Sequence, residues 1–192
     1  MMRNKSAVTM MTVFLSPCRI SDTFSPFEKQ TEAMKQVVSL LYSMMDKEPD
    51  CLDIQVSCHE ITLVFRTESP SSFVKIISFI PLLCRRINSI NNEGADREWN
   101  FRLDPFIVID TGTSEPFSVT QGTRFPEIKI WQGQIPERIQ RIITARNNSL
   151  PPLLVTYAFY SKLPEELQKQ FSHMYYICHI CCCGGELPDI IK

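Results

Sequence analysis

Residues 52–80 read LDIQVSCHEITLVFRTESPSSFVKIISFI, and the succession of periods in this stretch decides the class of fold. Leu52, Ile54, Val56 and Cys58 alternate with polar neighbours, the phase then shifts, and Ile61, Leu63 and Phe65 carry the alternation on. A period of two turns one face of a strand toward a core, and a phase shift within it is the trace of a bulge or a tight hairpin. The stretch is therefore one long bulged strand or two short ones. Ser69-Pro70 ends the run, and apolar residues then recur at helical spacing as far as Pro81, which must kink or end that helix. NNEGAD at 91–96 reads as a polar loop.

Upstream, SPFEKQTEAMKQVVSLLYSMMDKEP at 25–49 predicts a helix, with Ser25 as N-cap, Pro26 at the first helical position and Glu28 completing a capping box. Phe27, Thr31, Met34, Val38, Leu41 and Met45 draw its buried stripe, and Pro49 ends it. Downstream, PFIVID and EIKIWQG predict two short strands joined by a long loop, followed by a helix over 134–148. That helix turns Ile135, Ile139, Ile142 and Ile143 inward and leaves Arg138, Arg141 and Arg146 outside. The last third reads as strand (PPLLVTYAFYS), helix (LPEELQKQFSHM) and strand (YYICHICCC). Strands and helices mix without strict alternation, which predicts an α+β class: a single compact domain over 25–192, a small mixed or antiparallel sheet packed with about four helices, and an extended N-terminal segment over 1–24.

Composition narrows the function. The chain has 192 residues, 44% hydrophobic content and a net charge of -1, enough for a core but without the basic footprint of direct nucleic-acid binding. Its 6 glycines form neither GxGxxG nor GxxxxGK[ST], so no standard phosphate loop is expected. Arg3 and Lys5 precede an apolar run from Ala7 to Leu15, but no small-x-small site follows, which predicts an intracellular, cytoplasmic protein with reduced cysteines and at most peripheral membrane contact.

Three groups of residues could carry chemistry. Cys178 and Cys181 have CxxC spacing with His173 and His179 close by, the makings of a zinc site. A second ligand pair is missing, so a buried strand of small apolar thiols is the preferred reading and no cofactor is expected. Asp110-Thr111-Gly112 after an apolar strand has the tripeptide of an aspartic protease, without the second aspartate loop of a pepsin-like chain, and reads first as a turn. Arg138, Arg141 and Arg146, with Trp131 nearby, form the expected partner-binding face, because arginine and tryptophan dominate interface hot spots.

The order ITLVFRTESPSSFVKIISFI, an irregular middle, then LLVTYAFYSKLPEELQKQFSHMYYICHI, resembles the layout of rhabdovirus matrix proteins. That resemblance implies a small viral, virion-associated α+β protein that self-associates and binds protein partners without catalysing a reaction. A zinc-stabilised cytosolic adaptor and an aspartic protease are the alternatives.

Overall fold

The computed structural model describes residues 6–19, 27–119, 128–147 and 149–185. In chain order the elements are β1 (Ser6–Arg19), α1 (Phe27–Met45), β2 (Cys51–Val56), β3 (Glu60–Arg66), α2 (Pro70–Asp96), β4 (Phe101–Val119) and β5 (Ile128–Gln132). After these come α3 (Gln134–Thr144), β6 (Leu153–Thr156), the one-turn helices α4 (Tyr157–Tyr160) and α5 (Glu165–Gln168), β7 (Phe171–Ile177) and β8 (Ile180–Gly185). The strands build an 8-stranded sheet in the order β2-β3-β1-β4-β6-β8-β7, with β5 pairing β4 outside that order. Among the described residues only the β4–β6 pair runs parallel, so the sheet is mixed. The expected α+β class, as a single compact domain, is what the chain forms.

The apolar run near the N-terminus is the central strand β1, held antiparallel between β3 and β4. Met11, Val13 and Leu15 face one core, while Val8 and Met10 face a second. A strand covered on both faces reads as an unbroken apolar run rather than as an alternation. Helices α1 and α2 cover the first face, with Ala33, Val37 and Leu41 of α1 and Leu83, Cys84 and Ile87 of α2 all buried. Helix α3 covers the second with Ile135, Ile139, Ile142 and Ile143. Each such isoleucine contributes about 1.5–3 kcal/mol of apolar burial.

Of the two readings of the 52–66 stretch, the structure has the two short strands, paired as a hairpin with a register shift between Cys51 and Asp53. Several other local expectations change. Pro81 lies inside α2 without ending it, and residues 91–96 are helix, because the apolar face of α2 runs on to Ile90 and Gly94 and outweighs the local breakers. Phe27, expected inside, is 78% exposed, and the buried stripe of α1 runs through Ala33, Val37, Leu41 and Met45. The Ser25-Pro26 cap lies outside the described residues. PFIVID belongs to a 19-residue strand rather than a short one. YYICHICCC is a hairpin: Cys178 and His179 take positive φ (49° and 64°) and reverse the chain. Among the described residues no helix is long and apolar enough to cross a membrane.

Candidate functional site

Helix α3 shields only part of its sheet face. Beyond it, toward the β2–β3 hairpin, lies a groove of about 330 Å³. Its floor is Met10, Thr12 and Thr62; the hairpin supplies Gln55, Ser57 and Glu60, and α3 supplies Pro136, Ile139 and Gln140. This volume lies at the lower end of the roughly 300–1,000 Å³ that small-molecule sites occupy. The polar floor is the informative feature. Thr12 is 2% exposed on strand positions whose neighbours in the same row, Met10 and Val64, are core residues. Thr12 and Thr62 face each other across the strands, Oγ1 to Oγ1, at 2.9 Å. In such a pair one hydroxyl donates to the other, whose own proton and lone pairs remain available to a ligand. Gln55 spends its amide nitrogen on the Lys129 carbonyl (2.8 Å) and on Asp53 (3.2 Å), which leaves its carbonyl oxygen as an acceptor.

At the other end of α3's footprint sits a buried ion pair. The carboxylate of Asp110, 0% exposed on β4, accepts from Arg138 Nε at 2.7 Å, from the Thr111 amide at 2.8 Å and from Thr156 Oγ1 at 2.5 Å. Arg138 also donates to the Thr111 carbonyl (3.2 Å) and to Gln134 (3.3 Å). A carboxylate closed in by three donors has no room to activate water, and this overturns the protease reading of Asp110-Thr111-Gly112. The tripeptide is the interior of a strand rather than a turn.

Trp131 is 8% exposed, and its indole nitrogen donates to Asp53 Oδ2 at 2.9 Å. Arg146 lies over the rings of Phe14 and Phe106, 5.1 and 5.3 Å from their centroids. Arg141 is exposed and pairs with Glu137 one helical turn away. The structure thus places Arg138 and Arg141 on α3 and Arg146 just past its C-terminal end, gives each of the three an intramolecular contact, and places Trp131 in the α3 core. Of the cysteine cluster, Cys178 and His179 are exposed turn residues, while Cys182 and Cys183 are buried. Burial pushes the Cys182 thiol up to about 12. No group of three or more His, Cys, Asp or Glu able to hold a metal occurs among the described residues, the set Cys178, Cys181, His173 and His179 included.

No protein-family model matches the chain, and no curated protein matches it by sequence. Solved structures do. The chain superposes on the adenylyl cyclase CyaB from P. aeruginosa with a TM-score of 0.70 at 12% identity, covering 98% of this chain and 99% of that one. The guanylyl cyclase Cya2 gives 0.69 at 11% identity over 98% of both chains. A guanylate cyclase domain from Catenaria anguillulae, solved in complex with GTP, gives 0.64 at 8% identity over 94% of this chain and 97% of that one. The fold is that of nucleotide cyclase catalytic domains. This end-to-end match corrects the matrix-protein resemblance, and with it the expectations of a viral, virion-associated and non-enzymatic protein and of the zinc adaptor.

Cyclase chemistry implies divalent cations on a triphosphate, so the acidic residues can be tested for fit. Such cations take carboxylate and phosphate oxygens. Asp110 and Asp53 are hydrogen-bonded as above, Asp104 is paired with Arg102 at 2.8 Å, and Glu48 and Asp50 are paired with Lys75. Among the described residues Glu60 is the single carboxylate lining the groove. The described residues do not fit a metal pair.

Proposed function

We propose that the chain is a nucleotide-cyclase-type domain whose α3 groove receives the nucleoside of a purine nucleoside triphosphate, and that it works paired with a second domain of the same fold. The observation that carries this reading is the superposition over 98% of the chain on adenylyl and guanylyl cyclase domains. The groove supports it chemically. Met10, Ile139 and Pro136 offer apolar surface to a base, while Thr12, Thr62, Gln55 and Gln140 offer the donors and acceptors that a base edge or ribose requires. Arg141, on the exposed side of α3, offers a guanidinium to the phosphates. In the reaction of this class the ribose 3′-oxygen attacks the α-phosphorus, the bond to pyrophosphate breaks, and the hydroxyl proton is lost. Pairing is supported by a guanylyl cyclase domain of Blastocladiella emersonii described as a non-canonical dimer, to which the chain is similar at a TM-score of 0.64. It is supported too by the exposed Phe117 and Ile130, which lie opposite each other on the β4–β5 ribbon.

The test is equilibrium binding of fluorescent ATP and GTP analogues to the full chain. Saturable binding that Thr62→Val and Gln140→Ala each weaken several-fold is expected. Saturable binding of neither nucleotide would overturn the reading.

A further inference from the structure

On the α1–α2 side of the sheet, at the end of β1 away from the β2–β3 hairpin, the fold leaves an open cleft of about 620 Å³. It lies where the start of α2 meets the ends of β1, β3 and β4 and the turn after α4. Small-molecule sites occupy roughly 300–1,000 Å³, so the cleft is large enough for one. Its inner wall carries buried threonines. Thr9, 0% exposed, has one hydroxyl proton and two acceptors within reach, Thr111 Oγ1 at 3.0 Å and Thr67 Oγ1 at 3.4 Å, and the shorter contact takes it. Thr111 in turn donates to the Val8 carbonyl at 3.1 Å. Thr67 is the one left over. It lines the cleft at 8% exposure, receives nothing better than the 3.4 Å contact, and among the described residues its own proton has no acceptor. A buried hydroxyl with an unspent proton is destabilising, and a ligand oxygen in the cleft relieves it.

The charge around the cleft has one sign. Helix α2, 27 residues long, starts there with Ser69 as N-cap and Pro70 at its first position. No side chain caps its first amides, because the Ser69 hydroxyl lies instead 2.8 Å from Ser71 Oγ and 3.2 Å from Ser72 Oγ. The positive end of the helix dipole is therefore open to an anion. Lys162, on the turn after α4, makes no ion pair among the described residues, while Glu68 at the rim is matched by Arg66 at 3.6 Å. Between these groups Pro70 and Phe73 offer apolar surface, the Phe73 ring being held edge to face on Phe159 at 5.5 Å. We propose that this cleft binds a phosphate monoester carrying a flat apolar group. The phosphate sits among Thr67, the start of α2 and Lys162, and the apolar group lies against Phe73 and Pro70. Three terminal phosphate oxygens can meet donors from three separate parts of the chain, which the two oxygens of a carboxylate cannot. The proposal goes beyond the nucleotide reading of the α3 groove and does not depend on it, since that groove lies on the other face of the sheet.

The experiment is isothermal titration calorimetry of the full chain with phenyl phosphate, beside inorganic phosphate. Saturable binding of phenyl phosphate is expected, several-fold tighter than that of inorganic phosphate. Thr67→Val and Lys162→Ala should each weaken it several-fold, while Thr67→Ser, which keeps the hydroxyl, should retain it. Lys162 is exposed, so Lys162→Ala decides the matter should Thr67→Val fail to fold by circular dichroism. Two controls should leave the affinity unchanged: Lys169→Ala, which removes an exposed charge outside the cleft, and Gln140→Ala, which alters the α3 groove. Absence of saturable binding overturns the proposal, as does binding no tighter than that of inorganic phosphate or binding that neither Lys162→Ala nor a folded Thr67→Val weakens. A loss with Lys169→Ala as large as with Lys162→Ala also overturns it, because general surface charge then holds the anion. So does a loss with Gln140→Ala, because the ligand then sits in the α3 groove.

Discussion

At the scale of single residues, the Asp110–Arg138 pair is the most consequential polar contact. Asp110 is fully buried and Arg138 is 28% exposed, so removing the guanidinium strands a charge inside the protein. Breaking a buried pair costs about 3–5 kcal/mol, and the partial exposure of Arg138 points to the lower end, about 3 kcal/mol for Arg138→Ala in urea unfolding. Arg138→Lys should cost less, since it keeps the charge but cannot bond both Asp110 and the Thr111 carbonyl through a planar fork. The buried thiols give a second prediction. Desolvation raises Cys84 and Cys182 from 9.0 to about 12. As pH climbs past about 9 the unfolded chain releases these protons while the folded chain keeps them, so the unfolded state binds fewer protons and stability falls with rising pH. The urea midpoint should drop between pH 8 and pH 10, and Cys84→Ala should flatten that slope. A slope unchanged by the substitution would remove the buried thiol as its cause.

At the scale of elements, the end of α2 sets local propensity against packing. Alanine is a better helix former than glycine by about 1 kcal/mol, yet a methyl at Gly94 runs into the Trp99 indole, itself stacked 5.2 Å from Phe101. Gly94→Ala should therefore lower the melting temperature despite its helix propensity, and Trp99→Leu in the same chain should return part of the loss. This conflict also explains what the sequence hid. NNEGAD carries every mark of a loop, and only the Trp99 indole, in the connection ahead of β4, shows why glycine stands there. The β7–β8 hairpin was hidden for the complementary reason: its turn residues are Cys178 and His179, not the Asn and Gly that such turns favour. Helix α3 was legible because four isoleucines at helical spacing mark its buried face. Arg138's role was not, since its partner lies 28 residues away on another element. The groove was illegible too, since Thr12, Thr62 and Gln140 converge only through strand pairing and helix docking. The cyclase relationship was equally unmarked, because the likeness lies in the succession of elements at 11–12% identity and not in a run of residues.

At the scale of the whole molecule, one sheet serves two cores, and the two tryptophans of the chain report one each. Trp99 belongs to the core under α1 and α2, and Trp131 to the core under α3. Chains beyond about 150 residues often unfold in stages, and two cores on opposite faces offer two units that could melt apart. The strands argue otherwise. β1 alternates Val8 and Met10 toward one core with Met11 and Val13 toward the other, and β4 does the same with Val108 and with Ile107 and Ile109. Neither face can lose its packing without loosening the two central strands that carry the other. Trp131→Phe, which leaves Trp99 as the sole indole, and Trp99→Phe, which leaves Trp131, should therefore give fluorescence transitions in urea that each coincide with that variant's own far-ultraviolet circular dichroism. Trp131→Phe should also shift its common midpoint downward, since Asp53 loses the indole donor at 2.9 Å. If the Trp131 signal instead changes at lower urea than the dichroism, α3 and the groove form a separately melting unit, and nucleotide binding should then fail at urea concentrations where the α1–α2 core is still folded.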